Sequence, residues 1–245
     1  MYRTASPFLF IFFLFVGCSR EKSPLFRLIS PDQSGLDFIN TVEERDSINI
    51  LTVQYMYHGG AVAIGDFNND NLKDIFFSGN MVPNRLYLNR GGLKFEDISE
   101  KAGIGAAGKW NSGVALADIN ADGWLDIYVC ATIDEDSTKR ANTLFINHGV
   151  DGAGIPAFKD EAKQYGVADT GYSQNAAFFD YDKDGDLDLY VLTNLESDKI
   201  PSNYRPRIVD GSALNNDRLY RNNDNGTFTD VTLQAGILME GYGLG

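Results

Sequence analysis

Three times along the chain a run of small and apolar residues gives way to a dense polar turn and then to a second apolar run. The flanking runs are Ala61-Val62-Ala63-Ile64 and Ile75-Phe76-Phe77, then Val114-Ala115-Leu116-Ala117 and Ile127-Tyr128-Val129, then Ala176-Ala177-Phe178-Phe179 and Leu189-Tyr190-Val191. Apolar runs this short, bounded by Gly, Asn and Asp, predict strands rather than helices. Two further segments follow each pair at matching places. The first of these is Arg85-Leu86-Tyr87-Leu88-Asn89, Thr143-Leu144-Phe145-Ile146-Asn147 and Arg218-Leu219-Tyr220-Arg221-Asn222, and the second is Phe95-Glu96-Asp97, Phe158-Lys159-Asp160 and Phe228-Thr229-Asp230. Four short strands per unit, recurring as a unit, is the arithmetic of a β-propeller blade. A parallel β-helix has a shorter period, and a two-sheet sandwich does not explain threefold recurrence. Ala61, Ala63, Ala115, Ala117 and Ala176 suit a crowded inner strand, while Asn89-Arg90-Gly91-Gly92 and Asn223-Asp224-Asn225-Gly226 read as hairpin turns that supply positive φ. The expectation is therefore all-β: about three four-stranded blades of a partial propeller over residues 50–245, with Ile50 to Tyr57 as a strand leading in.

The polar turns change the picture from scaffold to chemistry. They start at residues 66, 118 and 180, and each places oxygen-bearing side chains at positions 1, 3, 5 and 9: Asp66, Asn68, Asp70 and Asp74; Asp118, Asn120, Asp122 and Asp126; Asp180, Asp182, Asp184 and Asp188. Alternate side chains of a tight turn converge on one centre, and Ca2+ takes about 6–8 oxygen ligands. The carbonyl of position 7, which is Leu72, Trp124 or Asp186, is the natural further ligand. Position 6 must turn with positive φ and holds Asn71, Gly123 or Gly185. An EF-hand loop ends in Glu at position 12, but here position 12 is Phe77, Val129 or Val191. The reading is about three Ca2+ sites, the third with the most carboxylates and so the tightest. An acidic turn that only solubilises a hairpin would explain one such match better than three.

At the N-terminus, a basic start at Arg3 precedes the apolar run Phe8 to Val16, too short to span a bilayer but right for a secretory h-region. The run ends at Gly17-Cys18, which resembles the lipobox of bacterial lipoproteins: residues 1–18 read as a lipoprotein signal peptide and Cys18 as the lipidated residue. Residues 19–49, polar and with Pro24 and Pro31, read as a tether and N-terminal segment. The formal charge of −13 argues against a nucleic-acid partner, and Cys130, at the end of an apolar run, reads as a buried small hydrophobe. His58 and His148 fall in different units with no nucleophile at recognisable spacing, so no catalytic residue is assigned. Trp110, at a blade junction, could stack on a sugar, while the ring of Trp124 is expected to cover a blade edge.

The D-x-[DN]-x-D-[GN]-x-x-D loops between these strands resemble FG-GAP/VCBS repeats, as in integrin-α-like propellers. More narrowly, Asn84-Arg85-Leu86-Tyr87-Leu88-Asn89 with Phe95-Glu96-Asp97-Ile98 and Ala102-Gly103-Ile104 is similar to secreted repeat proteins that often carry a C-terminal ASPIC/UnbV domain, although no such segment is present here. The resemblance implies a calcium-binding propeller at the cell surface, membrane-associated only through its lipid and serving as an adhesion or binding platform for a protein or glycan. A polysaccharide-degrading enzyme on the same scaffold is the alternative. Gly241 to Gly245 matches the approach to an inner strand, so a fourth blade is expected to follow, and the face around Phe178 and Leu189 is expected to lack a partner.

Overall fold

The computed structural model describes residues 24–53, 56–105, 108–195, 206–241 and 243; Cys18 and most of the Gly241–Gly245 stretch lie outside them. The recurring apolar segments form three antiparallel meanders. The first sheet joins β1 (Val62–Gly65), β2 (Asp74–Phe77), β3 (Arg85–Asn89) and β4 (Phe95–Asp97). The second joins β5 (Trp110–Ala117), β6 (Asp126–Thr132), β7 (Thr143–Val150) and β8 (Pro156–Asp160). The third joins β9 (Ser173–Phe179), β10 (Asp188–Thr193), β11 (Arg218–Asn222) and β12 (Phe228–Asp230). Each acidic turn closes the first hairpin of its sheet at the same register, with Gly65 opposite Asp74, Ala117 opposite Asp126 and Phe179 opposite Asp188. The fold is thus an open, partial propeller of three four-stranded blades.

The blades stack face on face, and the burial pattern of their strands follows from that. Every residue of β6 is buried because the middle blade has a neighbour on both sides, whereas β1 alternates exposed and buried positions. One core joins Phe76, Leu86 and Leu88 to Ile127, Val129 and Phe145 of the middle blade. The other joins Tyr128, Cys130, Leu144 and Ile146, on the opposite face of the middle blade, to Leu189, Val191 and Tyr220. Cys130 is fully buried, as its apolar neighbours suggest.

This stacking corrects the expectation that Phe178 and Leu189 face an empty side. Leu189 is fully buried and Phe178 packs edge-on against Tyr128 at 6.2 Å, so that face is the one covered by the middle blade. The large apolar side chains exposed on inner strands are instead Val62 and Ile64 of β1 and Phe179 of β9.

Toward the axis β1 lies beside β5 and β5 beside β9. The approach is close enough that a Cβ on Gly113 would stand 2.5 Å from the Gln174 carbonyl oxygen, which only glycine tolerates. Hydroxyls tie the strands laterally: Ser78 Oγ donates to the Ser112 carbonyl at 2.8 Å, and Ser112 Oγ donates to the Ser173 carbonyl at 2.8 Å.

Residues 50–52 and 56–57 are turns and residue 53 belongs to no strand, in place of the strand expected from their alternation; residues 54 and 55 lie outside the described residues. Asn49 captures this stretch, its Oδ1 accepting from the Leu51 and Thr52 amides and its carbonyl from the Val53 amide, so no extended backbone is left to pair. Contacts with the first blade begin earlier in the chain: Phe38 stacks on Phe77 at 4.9 Å and Tyr87 Oη donates to Asp37 Oδ1 at 2.7 Å. The remaining regular pieces are single helical turns, α1 (Pro31–Ser34), α2 (Ser137–Arg140) and α3 (Ala162–Tyr165). No helix of the described residues is long and apolar enough to cross a membrane.

Candidate metal-binding loops

The three acidic turns share a scaffold of backbone amides donating to carboxylates. Position 1 closes the turn: Asp66 accepts from the Asp70 and Asn71 amides at 3.1 and 2.8 Å, Asp118 from the Asp122 and Gly123 amides at 3.0 and 2.8 Å, and Asp180 from the Lys183 and Gly185 amides at 2.6 and 3.2 Å. Position 5 accepts from the amide of position 7, linking Leu72 to Asp70, Trp124 to Asp122 and Asp186 to Asp184. Asn71, Gly123 and Gly185 at position 6 have φ of 67°, 90° and 101°, the left-handed geometry that their residue types predict.

Position 9 does something the sequence reading did not separate from metal binding. Asp74, Asp126 and Asp188 are buried, and both oxygens of each carboxylate are held by backbone amides. One accepts from position 2 of the same loop, Phe67, Ile119 or Tyr181, at 2.9, 3.1 and 2.9 Å. The other accepts from the Asn that ends the third strand, Asn89, Asn147 or Asn222, at 2.9, 2.8 and 2.9 Å. Those Asn side chains in turn donate to the carbonyl of loop position 8, at Lys73, Leu125 and Leu187. Asn147 and Asn222 also donate to the position 2 carbonyl of the preceding blade, at Phe67 and Ile119, so each of these blades clasps the loop before it. Recurrence of Asn at the end of the Leu-Tyr-Leu-Asn segments was the available signal. Position 4 was missed as well: Asn69, Ala121 and Lys183 have φ of 56°, 55° and 67°, a strain that Ala and Lys rarely bear outside a turn fixed on both sides.

The loops diverge at position 3. Asn68 Nδ2 donates to Asp70 Oδ2 at 3.0 Å and Asn120 Nδ2 to Asp122 Oδ2 at 2.9 Å, so in the first two loops an amide partly neutralises the position 5 carboxylate. The third loop has Asp182 there and cannot do this. Among the described residues, Asp180, Asp182 and Asp188 bring carboxylate oxygens within 4.8 Å of one another. Asp184 stands outside that group, and its Oδ1 accepts from the Asp186 amide at 3.2 Å.

The electrostatics follow from burial and crowding. Burial pushes Asp74 up to about 6 and Asp126 up to about 7 against the pull of the amides they accept from, and it raises Asp188 in the same way. Asp186 is pushed up to about 6 by burial first, then by its hydrogen bond to Asp184 and by repulsion from neighbouring carboxylates. A hard divalent cation fits this donor set: all its side-chain donors are oxygens, three carboxylates converge in the third loop, and Asn68 Oδ1 in the first is a buried acceptor with no hydrogen-bond partner.

The tryptophans and histidines fall elsewhere. The ring of Trp124 lies about 3.4 Å from where a Cβ on Gly149 would stand, over the β7–β8 hairpin of its own blade, and Gly149 leaves room for it. His148, exposed at the end of β7, sits 3.3 Å from Glu161. His58 lies far from it in sequence, on the segment leading into β1.

With this geometry in hand, known proteins can be set beside the chain. A family model described as FG-GAP-like repeat matches residues 66–129, a stretch that runs from position 1 of the first loop to position 12 of the second and so straddles two blades. Cartilage acidic protein 1 of Xenopus tropicalis is 40% identical over 72 residues, which is 29% of this chain and 11% of the relative. The human protein of that name gives the same identity over 72 residues, and that of Mus musculus is 38% identical over 69 residues. The match therefore spans about a tenth of the length of those relatives. Residues 66–129 thus match an FG-GAP-like repeat, and the loop-and-strand pattern of that stretch recurs once more beyond it, in β9 to β12.

Proposed function

We propose that the chain is a calcium-rigidified repeat module, exported and held at the cell surface, whose blades present a binding or adhesion platform to a protein or glycan. The observation that carries this reading is the convergence of Asp180, Asp182 and Asp188 within 4.8 Å at the end of a hairpin whose backbone is already fixed by amide-to-carboxylate bonds. When bound, the cation supplies positive charge that offsets this repulsion. Asp180, Asp182 and Asp188 would hold it in the third loop, with Asp184 and the Asp186 carbonyl as further donors. In the first, Asp66, Asn68, Asp70, Asp74 and the Leu72 carbonyl would serve; in the second, Asp118, Asn120, Asp122, Asp126 and the Trp124 carbonyl. Position 9 serves the fold as well as the ion in all three. Because each Asn clasp joins one loop to the next blade, ordering a loop stiffens the junction between blades.

Export and surface attachment rest on the apolar run Phe8 to Val16 and on Cys18. Multiple acyl chains at Cys18 would anchor the protein stably, since one chain binds a membrane only marginally. Binding rather than catalysis is the reading carried over from the sequence, in which His58 and His148 fall in different units with no nucleophile at recognisable spacing. Thermal melting with millimolar calcium against a chelator tests the core of the proposal. A calcium-dependent rise in melting temperature is expected, with a smaller rise from magnesium, whose strict octahedral preference suits these loops less. Identical curves in calcium and chelator would contradict it. Mass spectrometry of the mature protein from its native host tests the anchor, which requires a lipid-modified Cys18 as the first residue.

A further inference from the structure

We propose that the cleft at the end of the blades away from the acidic loops is a binding site for a neutral saccharide. This rests on the reading of the chain as a binding platform and names the ligand class. Trp110 opens β5 and Ser173 opens β9, while Thr132 and Thr193 end β6 and β10, so this end is where the inner hairpins are open and the loops are farthest away. The cleft has a volume of about 110 Å³ and is walled by Trp110, Tyr172, Gln174, Thr132 and Asn194, with His58 on the side of the N-terminal segment. An engineered cavity of about 150 Å³ accepts benzene, so this one takes one edge or substituent of a sugar ring while the rest stays in solvent.

Charge narrows the ligand. The chain carries a net −13, yet no Asp, Glu, Lys or Arg is among the described residues lining the cleft. Among the described lining residues no carboxylate or ammonium waits for a charged ligand, and the nearby Arg140 guanidinium is already engaged on Tyr172 and backbone carbonyls. The polar groups are amides and hydroxyls. Asn194 is 5% exposed and its Oδ1 is a buried acceptor without a partner, which a ligand hydroxyl would satisfy. Gln174 Nε2 donates to Thr132 Oγ1 at 3.1 Å, which fixes the amide plane and turns its carbonyl oxygen away from Thr132.

The aromatic wall is held in place before any ligand arrives. Trp110 is 8% exposed, and the Arg140 guanidinium lies 4.2 Å from the centroid of the Tyr172 ring. That guanidinium is itself fixed by the carbonyls of Asp134, Glu135 and Thr170. A pre-positioned aromatic surface beside uncharged donors and acceptors matches a pyranose, which has an apolar C–H face and a hydroxyl rim.

Saturation-transfer NMR on the intact chain in calcium tests this, with glucose, galactose, mannose and N-acetylglucosamine as neutral probes and galacturonate as the charged one. At least one neutral sugar should give a saturable signal and galacturonate none. Gln174→Leu, at a half-buried strand position, and Asn194→Leu should each weaken binding about tenfold while keeping the calcium-dependent melting shift. Silence from every neutral sugar, equal binding of galacturonate, or unchanged affinity in a folded Gln174→Leu chain would overturn the proposal. Sugar binding that persists in a chain whose melting ignores calcium would instead leave this site standing and remove the metal reading. If Asn194→Leu fails to fold, Gln174→Leu alone decides.

Discussion

The first two loops and the third are built on one frame and differ where the frame ends. In all three, position 1 ties the turn, position 9 is buried with both oxygens on backbone amides, and position 6 is left-handed. At position 3 the first two carry Asn68 and Asn120, whose amides bond the neighbouring carboxylate, and the third carries Asp182, which adds to a group of carboxylates within 4.8 Å. In the first two loops these side-chain bonds ease the crowding of carboxylates. The third holds like charges against one another, and its geometry makes sense with a cation between them. The shared frame and the crowding of carboxylates are thus distinct features of the same nine residues that overlap at position 9.

The largest expected effect lies in the shared part. Asp126→Ala and Asp188→Ala each leave two buried amides without an acceptor, at about 1–3 kcal/mol apiece, so each should cost about 2–6 kcal/mol in urea unfolding even in chelator. A position 9 substitution that costs stability only when calcium is present would show that this Asp serves the ion and not the frame. Next comes the position that differs. Asn120→Asp turns the second loop into the third, and it should raise that loop's calcium affinity about tenfold while lowering chelator-state stability by less than about 1 kcal/mol. Calcium titration of melting temperature on this variant checks both signs at once.

pH acts on the shared position 9. Asp74 and Asp126 are raised to about 6 and about 7 in the folded chain, above the value of about 3.9 for an unfolded Asp. The folded state therefore binds more protons than the unfolded one between about pH 4 and 7. Without calcium, the contribution of these groups to stability is greatest below pH 4 and is lost as pH rises through 7. Calcium should reverse the trend, because protons then compete with the ion. Melting curves from pH 5 to 8 with calcium and with chelator should slope in opposite directions.

The three four-stranded sheets and the placing of an acidic turn in the first hairpin of each were legible because they repeat: three copies of strand, acidic turn and strand can be aligned on one another without any partner. The matching register of the three first hairpins follows from their shared loop length. What one copy could not show was direction across the stack. Phe178 and Leu189 look like any apolar strand face in sequence, and which face the middle blade covers depends on the order of blades around the axis. The Asn clasps were hidden for a related reason, since Asn147 and Phe67 meet only when adjacent blades pack. Residues 50–57 misled because alternation alone does not outweigh an Asn that satisfies the backbone locally.

Calorimetric titration of calcium into the metal-free chain and into Asp182→Asn tests the separation of frame and ion most directly. The account predicts saturable binding in the parent chain, loss of its tightest site in Asp182→Asn, and an unchanged tightest site in Asn68→Ala, with both variants folded in chelator. No calcium-dependent heat in the parent chain, or a tightest site that survives Asp182→Asn and disappears in Asn68→Ala, would contradict it.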